Sequence, residues 1–239
     1  MEKSIYIPGR GEVARHLRDL AREAGANVTE SAQQRAEYAI LEIPTRELPP
    51  LPEGATVFGG GALLRQISGQ RSVDLLEDEV YQIQNGALTA RCATALALRE
   101  IPQLPKACPV LVMGYGRIGK VLAREWANLG APVTIAARKE TDRAMARGLG
   151  YAAISTGELA ARLHEFLLIY NTVPHMLINA AAAQELAPEA VAIDLASTPG
   201  IDSARAISAR GLPGKMAAKQ SAERIFACVY AWIAREGEV

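Results

Sequence analysis

Short apolar runs alternate along the chain with amphipathic segments, a pattern typical of proteins that mix strands and helices. In the C-terminal half the runs PVLVM, PVTIAA, YAAIS, FLLIY and AVAIDL predict strands. Helices are predicted between them, one ending at Leu129 and others over 141–148, within TGELAARLH and over 179–186. Strands that alternate with helices form a parallel sheet through right-handed crossovers. We therefore predict a doubly wound parallel sheet in this half of the chain.

The N-terminal part repeats the alternation with shorter segments. SIYIPG predicts a strand, EVARHLRDLAREAG a helix, and NVTE, EYAILEIP, ATVFGG and SVDLLED further short strands. A second helix is predicted from about Ala87 to Glu100, entered through a turn in NGALTA. The apolar face of the first helix consists of Val13, Leu17, Leu20, Ala21 and Ala24.

The prolines of IPQLPKACP mark a boundary, because the residue before a proline disfavours helix. We predict a small N-terminal α/β domain over residues 1–100 and a larger sheet domain over 101–215. A final helix from about Met216 to Arg235 has one apolar face, so the segment 216–239 is expected to pack on the first domain. That face carries Ala222, Ile225, Phe226, Val229 and Ile233.

The amino-acid composition indicates which kinds of ligand and environment the protein has. Lys+Arg and Asp+Glu both number 26, without a dense basic run, so we expect a small-molecule ligand and no nucleic acid. Cys92, Cys108 and Cys228 are widely spaced and odd in number, which argues against disulfides and a zinc site. No stretch approaches the ~18 continuous apolar residues of a membrane span. We expect a soluble, cytoplasmic protein without a membrane partner.

Three glycines form the motif G-x-G-x-x-G between a predicted strand and a predicted helix. The first permits a tight turn, the second lets a pyrophosphate approach the backbone, and the third allows close helix–strand packing. The start of the helix adds free N–H groups. This favours dinucleotide binding, with a structural turn or another nucleotide as the alternatives. The predicted contacts are Gly114, Tyr115, Gly116, Arg117, Ile118 and Gly119.

Arg138 and Lys139 stand at the end of the second strand, where many dinucleotide-binding units carry an acid. An acid there would accept hydrogen bonds from the adenosine ribose and repel a 2′-phosphate, whereas arginine pairs with that phosphate. The sequence therefore predicts NADP(H) rather than NAD(H), with a solvated basic pair as the alternative. The predicted fold is α/β, with two Rossmann-like domains of which the C-terminal one, over 101–215, binds NADP.

Polar groups follow two neighbouring predicted strands, in NTVP and in DLASTPG. Open α/β sheets bind ligands at the C-terminal ends of their strands, so these segments are expected to contact the cofactor. The alternative for NTVP is an ordinary turn. The predicted cofactor contacts are Asn171, Thr172, Val173, Pro174 and Asp194.

The segment GLPGKMAAKQSAE is suited to bind a substrate carboxylate, because it places Lys215 and Lys219 at the start of the predicted last helix. Asn85 and Thr89 of NGALTA, together with Ser197 of DLASTPG, complete the predicted substrate site and make the N-terminal domain its substrate side. The alternative in each case is turn chemistry with exposed side chains.

The three histidines, His16, His164 and His175, are scattered. A metal cluster or a Ser-His-Asp triad therefore has no support, and no catalytic acid or base can be identified.

The ordered segments GYGRIGKVLA, AARK, NTVPHMLIN, DLASTPG and GLPGKMAAK resemble the family of the dipicolinate synthase A subunit. This resemblance implies a Rossmann NADP-binding domain after a smaller N-terminal domain. It also implies oxidation of a dihydrodipicolinate-type cyclic dicarboxylate to dipicolinate, with hydride transfer to NADP. Lys215, Lys219 and Ser197 would then hold the two carboxylates. A flavoprotein-like dipicolinate synthase B subunit is the implied partner, and we expect a homo-oligomer.

The chain departs from the family's pattern in two places. Only residues 201–210 separate DLASTPG from GLPG, so one crossover of helix and strand is predicted to be missing. Ile201 replaces the second glycine of the family's PGG, and the first domain is shorter than usual. Two alternatives therefore stay open: a reductase resembling shikimate or methylenetetrahydrofolate dehydrogenase, and a non-catalytic NADP(H)-binding regulatory subunit.

Overall fold

A computed structural model describes residues 3–236, and contacts within it divide the chain into two compact units. Unit 1 comprises residues 3–88 and 213–236, and unit 2 comprises residues 89–212. Each unit contains one sheet, in which neighbouring strands are parallel. The predicted α/β fold with two Rossmann-like domains is confirmed.

Short strands and helices alternate through both units. The strands are β1 (Ser4–Tyr6), β2 (Asn27–Thr29), β3 (Tyr38–Ile40), β4 (Thr56–Gly59), β5 (Ser72–Asp74), β6 (Val110–Met113), β7 (Val133–Ala136), β8 (Ala152–Ile154), β9 (Leu168–Asn171), β10 (Val191–Asp194) and β11 (Ile207–Ser208). The α-helices are α1 (Glu12–Glu23), α2 (Glu79–Glu100), α3 (Arg117–Asn128), α4 (Glu140–Gly148), α5 (Leu159–Arg162), α6 (Leu212–Met216) and α7 (Ala218–Glu236).

The sheet of unit 1 has the strand order β2-β1-β3-β4-β5, a flavodoxin-like arrangement. Helices α1 and α7 pack together, and Leu17, Ile225 and Val229 are buried in one cluster with Ile5 of β1. Because these positions recur at helical spacing, each helix buries a single face. Residues 1–2 of the expected first domain and 237–239 of the expected terminal segment lie outside the described residues.

Helix α2 begins at Glu79, although the sequence predicts a start near Ala87. The predicted turn in NGALTA is therefore wrong, because this segment lies inside the helix. Gly86 is buried, so its tertiary packing outweighs the ~1 kcal/mol that glycine costs in a helix. The division between the units falls within α2, after Leu88, whereas the expected boundary lies at residue 100.

The sheet of unit 2 has the strand order β11-β10-β9-β6-β7-β8, which is the arrangement of a dinucleotide-binding Rossmann sheet. Strand β6 lies between β9 and β7, so the turn after it faces the point where the strand order reverses. All four residues of each of these three strands are buried. A sheet covered on both faces accounts for their uninterrupted apolar sequences.

The short segment between Gly200 and Gly211 keeps a strand, β11, which pairs with β10, but it contains no helix. The prediction of a missing crossover is thus wrong for the strand. Ile201 forms a bridge with Ile178 and is 6% exposed. The isoleucine that replaces a family glycine therefore fills part of the core.

Two predicted helices differ in form. The helix expected over 179–186 is only a short 3₁₀ helix at Ala182–Glu185. The final helix is divided, since α6 ends at Met216 and α7 begins at Ala218. No helix within the described residues is long and apolar enough to span a bilayer.

Candidate functional site

The glycine turn after β6 leaves one face of its backbone open. Gly114 has φ +96°, and a side chain there would lie 2.4 Å from Thr172 Oγ1. A side chain at Gly119 would lie 2.1 Å from the Gly114 carbonyl oxygen, so this glycine allows α3 to pack against the strand. Gly116, in contrast, has no atom within 4 Å of where a side chain would begin. Of the three glycines, Gly116 is therefore the one a ligand can approach.

The backbone of this turn presents hydrogen-bond donors. The N–H of Gly114 donates to Ala136 O at 2.9 Å, and the N–H of Lys120 donates to Gly116 O at 3.0 Å. The N–H groups of residues 115–119 donate to no acceptor among the described residues. Such unpaired donors at the start of a helix favour a phosphate group.

The side chains within the turn differ in accessibility. Tyr115 is buried, which raises the pKa of its hydroxyl, and Lys120 Nζ lies 5.7 Å from the centre of its ring. Arg117 is exposed and Ile118 is half-buried. The tyrosine therefore shapes the turn, while Arg117 is accessible to a ligand.

Arg138 and Lys139 follow β7 directly and are exposed. Neither side chain pairs with an acid among the described residues. The nearby Glu140 is instead engaged by Arg147 and Arg143, which lower the pKa of its carboxyl in that order of strength. Both cations after β7 thus remain available to an anion.

Arg143 holds this segment in place, a role that the sequence patterns do not predict. Its Nη1 donates to Ala137 O at 2.6 Å and to Arg138 O at 2.7 Å. The one available signal is an arginine five residues after Arg138, in the first turns of a helix. Sequence spacing alone does not show that its guanidinium turns back to the strand end.

Asn171 and Asp194 are partners at the ends of β9 and β10, and both are buried. Asn171 Nδ2 donates to Asp194 Oδ1 at 2.9 Å. The side chain of Thr172 donates to Met113 O at 2.9 Å, which ties the turn after β9 to the end of β6. Thr172 and Val173 are therefore next to the glycine turn, as a cofactor contact requires.

The predicted substrate residues belong to different parts of the chain. Ser197 is exposed in the turn after β10, in unit 2. Lys215 and Lys219 are exposed in unit 1, one in α6 and the other in α7, so Lys215 does not belong to the last helix.

Asn85 and Thr89 both lie inside α2, and neither is without a partner. Thr89 is only 9% exposed. The described residues contain no group of three or more His, Cys, Asp or Glu side chains that could hold a metal ion.

Comparisons with known proteins bear on this site. No family model matches the chain. The A subunit of dipicolinate synthase from Bacillus subtilis (strain 168) is 30% identical over 185 residues, which are 72% of this chain and 62% of that protein. The match thus spans less than two thirds of the relative's length.

Two solved structures share the fold. The A chain of dipicolinate synthase from Bacillus subtilis has a TM-score of 0.85 at 22% identity, covering 100% of this chain and 98% of that one. Transhydrogenase from Sinorhizobium meliloti has a TM-score of 0.73 at 15% identity, covering 97% and 94%. Together with the motifs from GYGRIGKVLA to GLPGKMAAK, the sequence match shows that this chain is similar to the dipicolinate synthase A subunit, and the two share a fold.

Proposed function

We propose that this protein is an NADP(H)-dependent oxidoreductase that oxidises a dihydrodipicolinate-type cyclic dicarboxylate. The observation that carries the cofactor assignment is the exposed pair Arg138 and Lys139, which forms no ion pair within the described residues. The sequence similarity to the dipicolinate synthase A subunit and the fold shared with a transhydrogenase support a role in hydride transfer.

The open turn fits a dinucleotide. Its pyrophosphate would meet the free N–H groups of residues 115–119 beside Gly116. Strand β7 neighbours β6, so Arg138 follows a strand end roughly 4.8 Å away in the sheet. This position supports the proposal that the guanidinium of Arg138 would pair with a 2′-phosphate on the adenosine side.

The substrate class rests on the relative's name and on charge. The nicotinamide, when bound, would accept a hydride, and the loss of that hydride together with the release of a proton to solvent would make the substrate ring aromatic. The protein's task is therefore mainly to orient the ring and hold two carboxylates. Lys215 and Lys219 of unit 1 are exposed and suited to bind a carboxylate, and Ser197 of unit 2 is exposed as well. The burial of Thr89 weakens its assignment.

The cofactor assignment is tested by binding. We expect NADP(H) to bind at least about tenfold more tightly than NAD(H), and Arg138→Ala to remove most of this preference, because a charged hydrogen bond contributes ~1.5–3 kcal/mol. Arg124→Ala, an exposed arginine on α3, is the matched control and should keep the preference. Equal affinities of the unaltered protein for the two cofactors would refute the assignment.

The reaction is tested with enzymatically generated dihydrodipicolinate precursor and NADP⁺, by following the absorbance of the reduced nicotinamide. The protein is assayed alone and with a dipicolinate synthase B subunit, since the family's name implies a partner. Reduction of NADP⁺ in either assay supports the proposal.

A non-catalytic NADP(H)-binding subunit is the second candidate. One observation favours it: Asp194, the acid at the end of β10, is buried with both of its oxygens accepting hydrogen bonds inside the protein. Tight NADP(H) binding without NADP⁺ reduction in both assays would support this alternative.

A further inference from the structure

A buried polar pair joins the ends of β9 and β10. The side chain of Asn171 is fully buried, and Asp194 is 4% exposed. Burying a carboxylate is costly unless its oxygens are hydrogen-bonded. Here Asp194 accepts bonds from Asn171 Nδ2 at 2.9 Å, from the N–H of Ala196 at 3.2 Å and from the N–H of Gly200 at 2.8 Å. Its lone pairs are thus directed into the protein rather than toward a ligand.

Each member of the pair closes one turn at the carboxyl edge of the sheet. Asn171 Oδ1 accepts from the N–H of Val173 at 3.1 Å, and its Nδ2 donates to Val173 O at 3.0 Å. Asp194 closes the turn over 194–200 through its bonds to Ala196 and Gly200. The bond between the two side chains fixes one turn against the other.

Thr172 and Val173, in the turn after β9, lie beside the glycine turn. Both the N–H and the Oγ1 of Thr172 donate to Met113 O, at 3.0 and 2.9 Å. A side chain at Gly114 would lie 2.4 Å from Thr172 Oγ1 and 2.8 Å from Val173 Cγ2. Thr172 and Val173 therefore border the glycine turn on the β9 side of β6.

We propose that Asn171 and Asp194 are positioning residues: they hold Thr172 and Val173 in the place where these residues would contact the nicotinamide half of NADP(H), without touching the cofactor themselves. The proposal rests on the proposed function, because it assumes a nicotinamide dinucleotide in the turn. With Arg138 at the end of β7, the adenosine half would lie toward β7, which would leave the opposite side of β6 for the nicotinamide.

Asn171→Asp is the sharpest change to the pair. It replaces the amide donor with a second buried carboxylate facing Asp194, and it removes the bond to Val173 O. Like charges at this distance repel strongly in a buried site. The turn over 171–173 is expected to shift, and Thr172 and Val173 to move with it, while the turn after β7 keeps its own bonds to Arg143.

The experiment compares two ligands of the full chain, NADPH and 2′-phospho-ADP-ribose, which lacks the nicotinamide. For Asn171→Asp we expect about a tenfold or greater loss of NADPH affinity, with less than about a twofold loss for 2′-phospho-ADP-ribose. Asp194→Asn removes a hydrogen-bond acceptor without adding a negative charge. If Asn171→Asp does not fold, the affinities of Asp194→Asn for the same two ligands are compared instead. The double variant, which restores one amide–carboxylate bond, should recover part of the NADPH affinity.

Asp202→Asn, an exposed change of the same kind in unit 2, is the control and should leave both affinities unchanged. Equal losses for the two ligands, or no loss for either, would overturn the positioning role while the proposed function stands. If the unaltered protein binds neither ligand, both the proposed function and this inference fail.

Discussion

The three glycines of the turn after β6 have three different physical reasons to be glycine. Gly114 adopts a positive φ, Gly119 faces a carbonyl oxygen, and Gly116 borders open space. These roles could be predicted from the sequence, because the motif fixes both spacing and context. The burial of Asn171 and the reach of Arg143 could not, because each depends on a neighbouring strand or turn that spacing does not reveal.

Gly200→Ala should destabilise the protein. A Cβ there would lie 2.2 Å from Asn171 Nδ2 and 2.7 Å from the carbonyl oxygen of His175, and that backbone cannot move cheaply. We expect a loss of about 1–3 kcal/mol in the free energy of unfolding, measured with urea. Gly148→Ala, which has open space around it, serves as the control. A stability equal to that of the control would show that the site relaxes freely.

At the scale of elements, apolar runs located the strands of unit 2 well, because buried parallel strands have continuous apolar sequences. The ends of helices are harder to predict from the sequence. The local sequence does not predict the start of α2, because Asn85–Gly86 resembles a turn, whereas the burial of Gly86 within the folded unit favours helix. Tertiary packing there outweighs the local preference of Asn-Gly for a turn.

Three elements of unit 2 meet at Tyr170 of β9. Its hydroxyl accepts from Trp126 Nε1 of α3 at 3.0 Å and donates to Ala93 O of α2 at 3.2 Å. Burial, the largest cause, raises the pKa of this tyrosine far above its usual value, so the hydroxyl stays protonated and able to donate.

Tyr170→Phe should therefore leave a buried indole N–H unpaired, at a cost of about 1–3 kcal/mol of unfolding free energy. Tyr151→Phe, a half-buried tyrosine of the same unit, is the matched control. Urea unfolding of both variants makes the comparison, and equal stabilities would show that water replaces the lost partner.

At the scale of the whole chain, unit 1 is assembled from the two ends of the sequence. Its core combines α1 with α7, which follows all of unit 2 in the chain. Hydrophobic periodicity could predict that α7 has a buried face. It could not prove which element covers that face, because any apolar surface would satisfy the pattern.

Ile225→Ala tests how much this long-range contact contributes. Ile225 is fully buried, so we expect a loss of about 2–5 kcal/mol of unfolding free energy for unit 1. The fluorescence of Trp232, which packs on Phe58 in the same unit, reports the transition. Glu223→Ala, an exposed change on the same helix, should have little effect. Equal stability of the two variants would mean that α7 adds little to this core.

The glycine turn is flanked by residues of opposite character. On the β7 side are Arg138 and Lys139, two exposed side chains without ion pairs among the described residues. On the β9 side are Asn171 and Asp194, which are buried and bonded to one another. Substitutions on the β7 side of the turn are therefore expected to affect the stability of the fold less than substitutions on the β9 side. If Arg138 and Lys139 contact the cofactor as proposed, substitutions there would change cofactor preference without disturbing buried contacts, whereas substitutions at Asn171 or Asp194 would also disturb the core.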